Sequence, residues 1–231
     1  MSALPRVAAP VHAGVLVPWA NTVVEAELHR TTGNSVIWHY ARLVPASRTT
    51  GLDARFLKGL LEAVPGALAQ LASLPLRHVY LACTSAAFVY PETIELAQRD
   101  AGVTLVSAFD AITMVLSERG VGGIALLTPY PGEIADAEVL MFQRNGIVVT
   151  GCASLGIDDG YDTIAGDQVK DLIQKVSRAA MDEAEAIVLS CTGWPTFDLI
   201  PVMQQSLGKP VISSNLAICL DAQRRRRPDG T

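Results

Sequence analysis

The sequence predicts an α/β protein made of two flavodoxin-like parallel-sheet halves related by a pseudo-twofold axis. Strand-like apolar runs alternate with helical stretches, the pattern of parallel strands joined by crossover helices. The same order of segments occurs twice, and the two copies keep nearly one spacing.

In the first half, residues 14–18 (GVLVP), 35–40 (SVIWHY) and 78–82 (HVYLA) read as strands. The helical region at about 52–74 is expected to break near Pro65, because proline inside a helix costs about 3 kcal/mol. In the second half, 124–129 (IALLTP), 147–150 (IVVT) and 186–190 (AIVLS) repeat the three strands. Residues 167–184 read as one helix, with Val169, Leu172, Ile173 and Val176 on one face and Asp167 as its N-cap. TLVSA at 104–108 and PVISS at 210–214 supply a further strand to each half. Pro18 and Pro129 are 111 residues apart, as are Asn34 and Asn145, and Cys83 and Cys191 are 108 apart. HVYLACTS around one cysteine matches AIVLSCTG around the other, so the chain reads as an internal duplication. The expected division places residues 1–110, joined by a returning segment 214–231, in the first half. Residues 111–213 form the second, and the active site lies in the cleft between them.

Half of the 231 residues are hydrophobic and 18% are charged, enough to bury a substantial core. A net charge of −5 and a pI near 5.3 argue against nucleic acid as a partner. No run approaches the roughly 18 apolar residues of a membrane span. The N-terminal apolar stretch is broken by Pro5, Pro10 and His12 and leads into a strand, so it is not read as a leader. Four dispersed cysteines without a CxxC pair suit reduced thiols in the cytoplasm, with neither a disulfide scaffold nor a structural zinc. There is no GxSxG elbow, Walker A loop or HExxH, and Gly120, Gly122 and Gly123 precede a strand instead of following one. No cofactor and no metal are therefore expected. The run Arg224–Arg227 reads as a solvated tail.

Ligands of open parallel sheets bind outside the C-terminal strand ends. Pro18–Asn21, Cys83–Ser85, Thr128–Tyr130 and Cys191–Gly193 all occupy such ends, so the two thiols should face one another across a bound substrate. Thr84-Ser85 and Thr192-Gly193 suit strand-to-helix turns whose N–H groups hold a carboxylate or an oxyanion. The positive end of a helix should also lower each thiol's pKa. Cys152, in a Gly-rich turn, and Cys219, in an apolar helix, read as structural residues. Trp19 and Trp194 fit pocket lining or core packing equally well. None of the four histidines has an evident cysteine partner.

VPWANTVVEAE (17–27), ACTS (82–85), TPY (128–130) and SCTGWPT (190–196) together resemble the aspartate/glutamate racemase superfamily. The branch they are most similar to holds maleate cis–trans isomerase and arylmalonate decarboxylase. The resemblance implies a nucleophilic Cys83, a proton-handling Cys191, and Asn21 and Tyr130 as carboxylate contacts. Thr84 and Ser85 look like the decarboxylase's pair for two carboxylate oxygens, although that enzyme lacks a cysteine at the position of Cys83. Thr192 and Gly193 complete the substrate-binding set. Maleate isomerases carry a substrate-binding asparagine in the loop after the fifth strand, and the matching segment here, GIDDGYD (156–162), has none. A cofactor-independent isomerase of a small carboxylate, forming a homodimer, is the first expectation. A decarboxylase or two-cysteine racemase is second, and a two-lobed binding protein is the non-enzyme alternative. All three reactions pass through an enediolate that N–H and hydroxyl donors stabilise.

Overall fold

The computed structural model describes residues 9–46 and 51–225. The chain begins β1 (Val11–Pro18), α1 (Val24–Thr32), β2 (Val36–Leu43), α2 (Ala54–Glu62) and α3 (Val64–Leu71). It continues through β3 (His78–Leu81), α4 (Thr84–Val89), α5 (Pro91–Asp100), β4 (Thr104–Ser107) and α6 (Ala108–Glu118). The second series is β5 (Gly123–Thr128), α7 (Gly132–Arg144), β6 (Val148–Ser154), α8 (Gly166–Lys175) and α9 (Arg178–Glu183). It ends with β7 (Ala186–Leu189), α10 (Leu199–Leu207), β8 (Val211–Ser213) and α11 (Ser214–Arg224).

Two four-stranded sheets result, ordered β2-β1-β3-β4 and β6-β5-β7-β8, with every neighbouring pair parallel. Each strand of the first sheet has its counterpart four strands later, which is the flavodoxin-like order repeated. Helices cover both faces of a parallel sheet, so its central strands are apolar on both sides. Val15, Leu16 and Val17 of β1, Ile124–Leu127 of β5 and Ile187–Leu189 of β7 are accordingly buried without interruption. The edge strand β2 alternates instead, burying Val36 and Trp38 and exposing Ile37 between them. From the first strand of each sheet the chain moves to one side, then crosses to the other. The crevice above β1 and β3, and that above β5 and β7, are therefore the switch points where such sheets take ligands.

The local details depart from the sequence reading in several places. The helical region does break, at Ala63, which leaves Pro65 in the first turn of α3 where its missing N–H is not needed. Residues 167–184 form two helices instead of one. Val176 turns extended, and the Ser177 hydroxyl accepts the Ala180 N–H at 3.2 Å to start α9. Ala165 caps α8, and Asp167 lies within its first turn, paired with Lys170 at the surface. β6 runs on to Ser154, so Cys152 is an exposed residue of an edge strand and does not sit in a turn. GIDDGYD follows this sixth strand, not the fifth. Cys219 is buried in α11.

α11 packs against α1 and α6. Its buried Asp221 accepts hydrogen bonds from Tyr80 Oη at 2.7 Å, Arg224 at 2.8 Å and Arg225 at 2.5 Å. Arg224 also reaches Glu118 at 2.9 Å. The first two arginines of the run are thus held in place, against the expectation of a solvated tail. Arg226 and Arg227 lie outside the described residues, as do the first eight residues of the N-terminal apolar stretch. No helix among the described residues is long and apolar enough to cross a membrane.

Burial works to raise the Asp221 pKa, but the donors of Arg224, Arg225 and Tyr80 outweigh it and leave the carboxyl below its ordinary value. Asp221→Ala strands the buried Tyr80 hydroxyl and should cost about 1–3 kcal/mol in urea unfolding at pH 7. A depressed carboxyl binds fewer protons folded than unfolded, so its contribution is present at neutral pH and fades as pH falls below about 4. The difference between wild type and variant should shrink over that window.

Candidate active site

The turn after β1 is built first. Asn21 Oδ1 accepts the N–H groups of Val23 at 2.9 Å and Val24 at 3.1 Å, which opens α1 and leaves the amide nitrogen pointing elsewhere. Arg42 from β2 braces the same turn, donating to the Asn21 carbonyl at 2.5 Å while pairing with Glu25 at 2.5 Å. Asn21 Nδ2 then reaches Thr192 Oγ1 in the second half, at 3.4 Å. Thr192 in turn donates to the Ala82 carbonyl at 2.8 Å, next to Cys83. Three of the four strand ends are linked by these bonds.

Cys83 caps α4 from an extended backbone, with its Sγ 3.7 Å from Ser85 Oγ. Thr84 donates to Ser214 at 3.0 Å. Cys191 differs. No helix follows it until α10 at Leu199, and its sulfur instead accepts the Gly193 N–H at 3.3 Å. The Tyr130 hydroxyl lies beside the same thiol. Tyr130 is held by Ser154, whose hydroxyl donates to its carbonyl, and by an edge contact with the Tyr161 ring at 5.9 Å.

All eight residues singled out from the sequence, Asn21, Cys83, Thr84, Ser85, Tyr130, Cys191, Thr192 and Gly193, line one cavity of about 100 Å³. Drug-sized pockets run from about 300 to 1,000 Å³, so this one suits a molecule of a few carbons. Trp19 and Trp194 are not in its lining; Trp194 is fully buried in the core. Among the described residues no histidine, lysine or arginine lines it, and no group of three or more His, Cys, Asp or Glu side chains is placed to hold a metal.

The expectation that a helix end lowers both thiol pKa values does not survive the packing. Burial pushes Cys83 up, with the Ser85 hydroxyl and the Ala86 N–H pulling the other way. Burial likewise pushes Cys191 up to about 12, against Tyr130 and the Gly193 N–H. Desolvation of a thiolate outweighs a few donors in so enclosed a place.

Several lining residues were not anticipated. Tyr161, Asp159, Gly160 and Asp162 come from the GIDDGYD loop, and Leu52 and Phe56 form an apolar wall. The loop is tied across the mouth by Thr22, which donates to Asp162 at 3.1 Å, and by the Leu52 N–H on the Asp158 carbonyl at 2.7 Å. An aromatic residue inside a Gly- and Asp-rich loop was the available signal for Tyr161. For Leu52 and Phe56 there was none beyond helical periodicity.

A family model described as arylmalonate decarboxylase matches residues 58–231. Arylmalonate decarboxylase of Bordetella bronchiseptica is 34% identical over 134 residues, 57% of this chain and 55% of that protein. Maleate isomerase of Geobacillus stearothermophilus is 30% identical over 119 residues, 51% of this chain and 47% of that protein. The chain spans about half the length of these curated relatives it matches. The solved Nocardia farcinica maleate cis-trans isomerase is a cysteine-to-serine variant with a covalently bound succinylcysteine intermediate. It shares the fold with a TM-score of 0.79 and 22% identity, over 93% of this chain and 91% of its own. Because the family model runs from residue 58 to the last residue, and the shared fold reaches through most of the remainder, the chain belongs to the arylmalonate decarboxylase family.

Proposed function

We propose that the protein is a cofactor-independent isomerase of a small carboxylate, using Cys83 as nucleophile and Cys191 as proton carrier. The observation that carries this reading is the pair of thiols on one small cavity, at corresponding strand ends of the two halves. An isomerase that forms a carbon–sulfur bond needs one sulfur to add and a second group to handle the proton. Asn21 Nδ2 and the hydroxyls of Ser85 and Tyr130 supply neutral donors for carboxylate oxygens.

In this scheme the Cys83 thiolate adds to the alkene carbon of a maleate-like substrate. The π pair moves onto the adjacent carboxylate to give an enediolate, and the Cys191 thiol protonates the α-carbon. After rotation about the new single bond, Cys191 takes a proton back and Cys83 leaves as thiolate, forming the trans alkene. The succinylcysteine of the Nocardia isomerase is the kind of adduct such a sequence passes through. A second reading, decarboxylation, is favoured by the family model and by the higher identity to the Bordetella enzyme. There Cys191 alone would protonate the carbanion left by carbon dioxide.

Proton NMR in D₂O with a panel of small dicarboxylates reports isomerisation, decarboxylation and α-proton exchange together. Cys83→Ala should abolish both turnover and any covalent adduct. Cys191→Ala should slow turnover by about 10²–10⁴-fold. It should still allow an adduct at Cys83, seen as a mass increase equal to the substrate. Wild-type turnover by Cys83→Ala would transfer the proposal to the decarboxylase reading. Dialysis against EDTA should leave the rate unchanged; a loss restored by added metal would contradict cofactor independence.

A further inference from the structure

Outside the cavity lining, Glu138 of α7 is completely buried. The buried stripe of that helix reads Ala135, Glu138, Phe142, so the carboxyl occupies a core position. It accepts a hydrogen bond from the hydroxyl of Ser190, the residue before Cys191. The Thr128 hydroxyl lies beside the same carboxyl and donates to the Ser190 carbonyl at 3.2 Å. Glu138 thereby joins the ends of β5 and β7, which carry Tyr130 and Cys191. Its second oxygen, Oε2, is buried and has no hydrogen-bond partner among the described residues.

An ionised carboxylate would leave that oxygen as an acceptor facing no donor, in a place water does not reach. A protonated one puts no charge into that enclosed place. The titratable groups facing it are Tyr130 beyond β5, Cys191 beyond β7 and Cys152 on β6. α4, which packs against α7, contributes none. Every facing group is itself an acid, and among the described residues no Lys or Arg acts on the carboxyl.

We propose that Glu138 is a positioning residue that works as a neutral acid, clamping the Tyr130 and Cys191 strand ends without placing a negative charge beside them. Burial raises its carboxyl to about 8, against the Ser190 and Thr128 hydroxyls. Above that pH, its ionisation puts a like charge next to the groups that must carry the thiolate and stabilise the enediolate. The alkaline limb of the reaction then belongs to Glu138. This role rests on the reading of Cys191 as proton carrier; the protonation state of Glu138 does not.

Three measurements on wild type and Glu138→Gln test it. Infrared titration of the wild type should show a protonated carboxyl band at pH 7 that fades around pH 8 and is absent from the variant. Alkylation of Cys191 by iodoacetamide, followed on its own peptide by mass spectrometry, should be about tenfold faster in the variant at pH 9, one unit of thiol pKa. The alkaline limb of turnover should move to higher pH in the variant, which a purely structural role would not produce. Coincident alkylation profiles, or no protonated band assignable to Glu138 at pH 7, would overturn the proposal. Should the variant fail to fold, the wild-type Cys191 profile decides. Its rate must rise by less than tenfold per pH unit across pH 8, and a uniform tenfold rise counts against the idea. If the infrared and alkylation differences appear but no carboxylate is turned over, the functional reading fails while the neutral clamp stands.

Discussion

The buried carboxyl of Glu27, with four hydrogen bonds, is a main point at which the two halves are joined. From α1 it accepts the Thr196 N–H at 2.5 Å, the Phe197 N–H at 2.8 Å, Asn215 Nδ2 at 2.7 Å and the Thr196 hydroxyl at 3.3 Å. Asn215 also donates to the Thr192 carbonyl at 3.1 Å. Burying a carboxylate costs several kcal/mol. Hydrogen bonds to a charged group return about 1.5–3 kcal/mol each. Burial still leaves the Glu27 pKa raised, with Asn215 and the Phe197 and Thr196 groups acting in the other direction. The segment from Cys191 to Asp198 has no helix to fix it, so these bonds, and those of Thr192, define where Cys191 stands.

That dependence explains why a duplicated sequence yields two unlike thiols. Cys83 enters a helix at once and lies near the hydroxyl of Ser85 within its own turn. Cys191 sits in an irregular turn and takes its partners from Tyr130 and Gly193. The two sheets share one strand order, while the loops above them are supported differently: one by local helix formation, the other by side chains of the opposite half. Loops can diverge in this way because their positions depend on a few hydrogen bonds, whereas the strands are locked by continuous burial.

The cavity is also electrostatically unusual for a carboxylate site. Its donors are neutral, its wall at Leu52 and Phe56 is apolar, and the acidic residues Asp159 and Asp162 stand in its lining. In such surroundings a thiolate is costly, and each fixed dipole counts for more than it would in water. Charge that develops during a reaction must therefore be met by donors already in place, among them the amide of Asn21, which Arg42 and the start of α1 orient.

The sequence alone carried the strands and the doubled sheet, because apolar runs alternate with helical stretches twice over at nearly one spacing. It also determined that the strand ends at Asn21, Cys83, Tyr130 and Cys191 would meet, because parallel strands place their C-terminal ends on one side and the repeat pairs them. The rest came from packing between segments far apart in the chain. Glu27 stood inside a quoted motif without any sign of its role, since its partners lie about 170 to 190 residues away. Glu138 drew no attention in the sequence at all, although its spacing to Ala135 and Phe142 puts it on the buried stripe of its helix. The thiol pKa values were misread for the same reason. A helix end is visible in local sequence, but desolvation is set by every element packed around the group. Burial is a property of the assembled fold, and in this site it outweighs the local dipole.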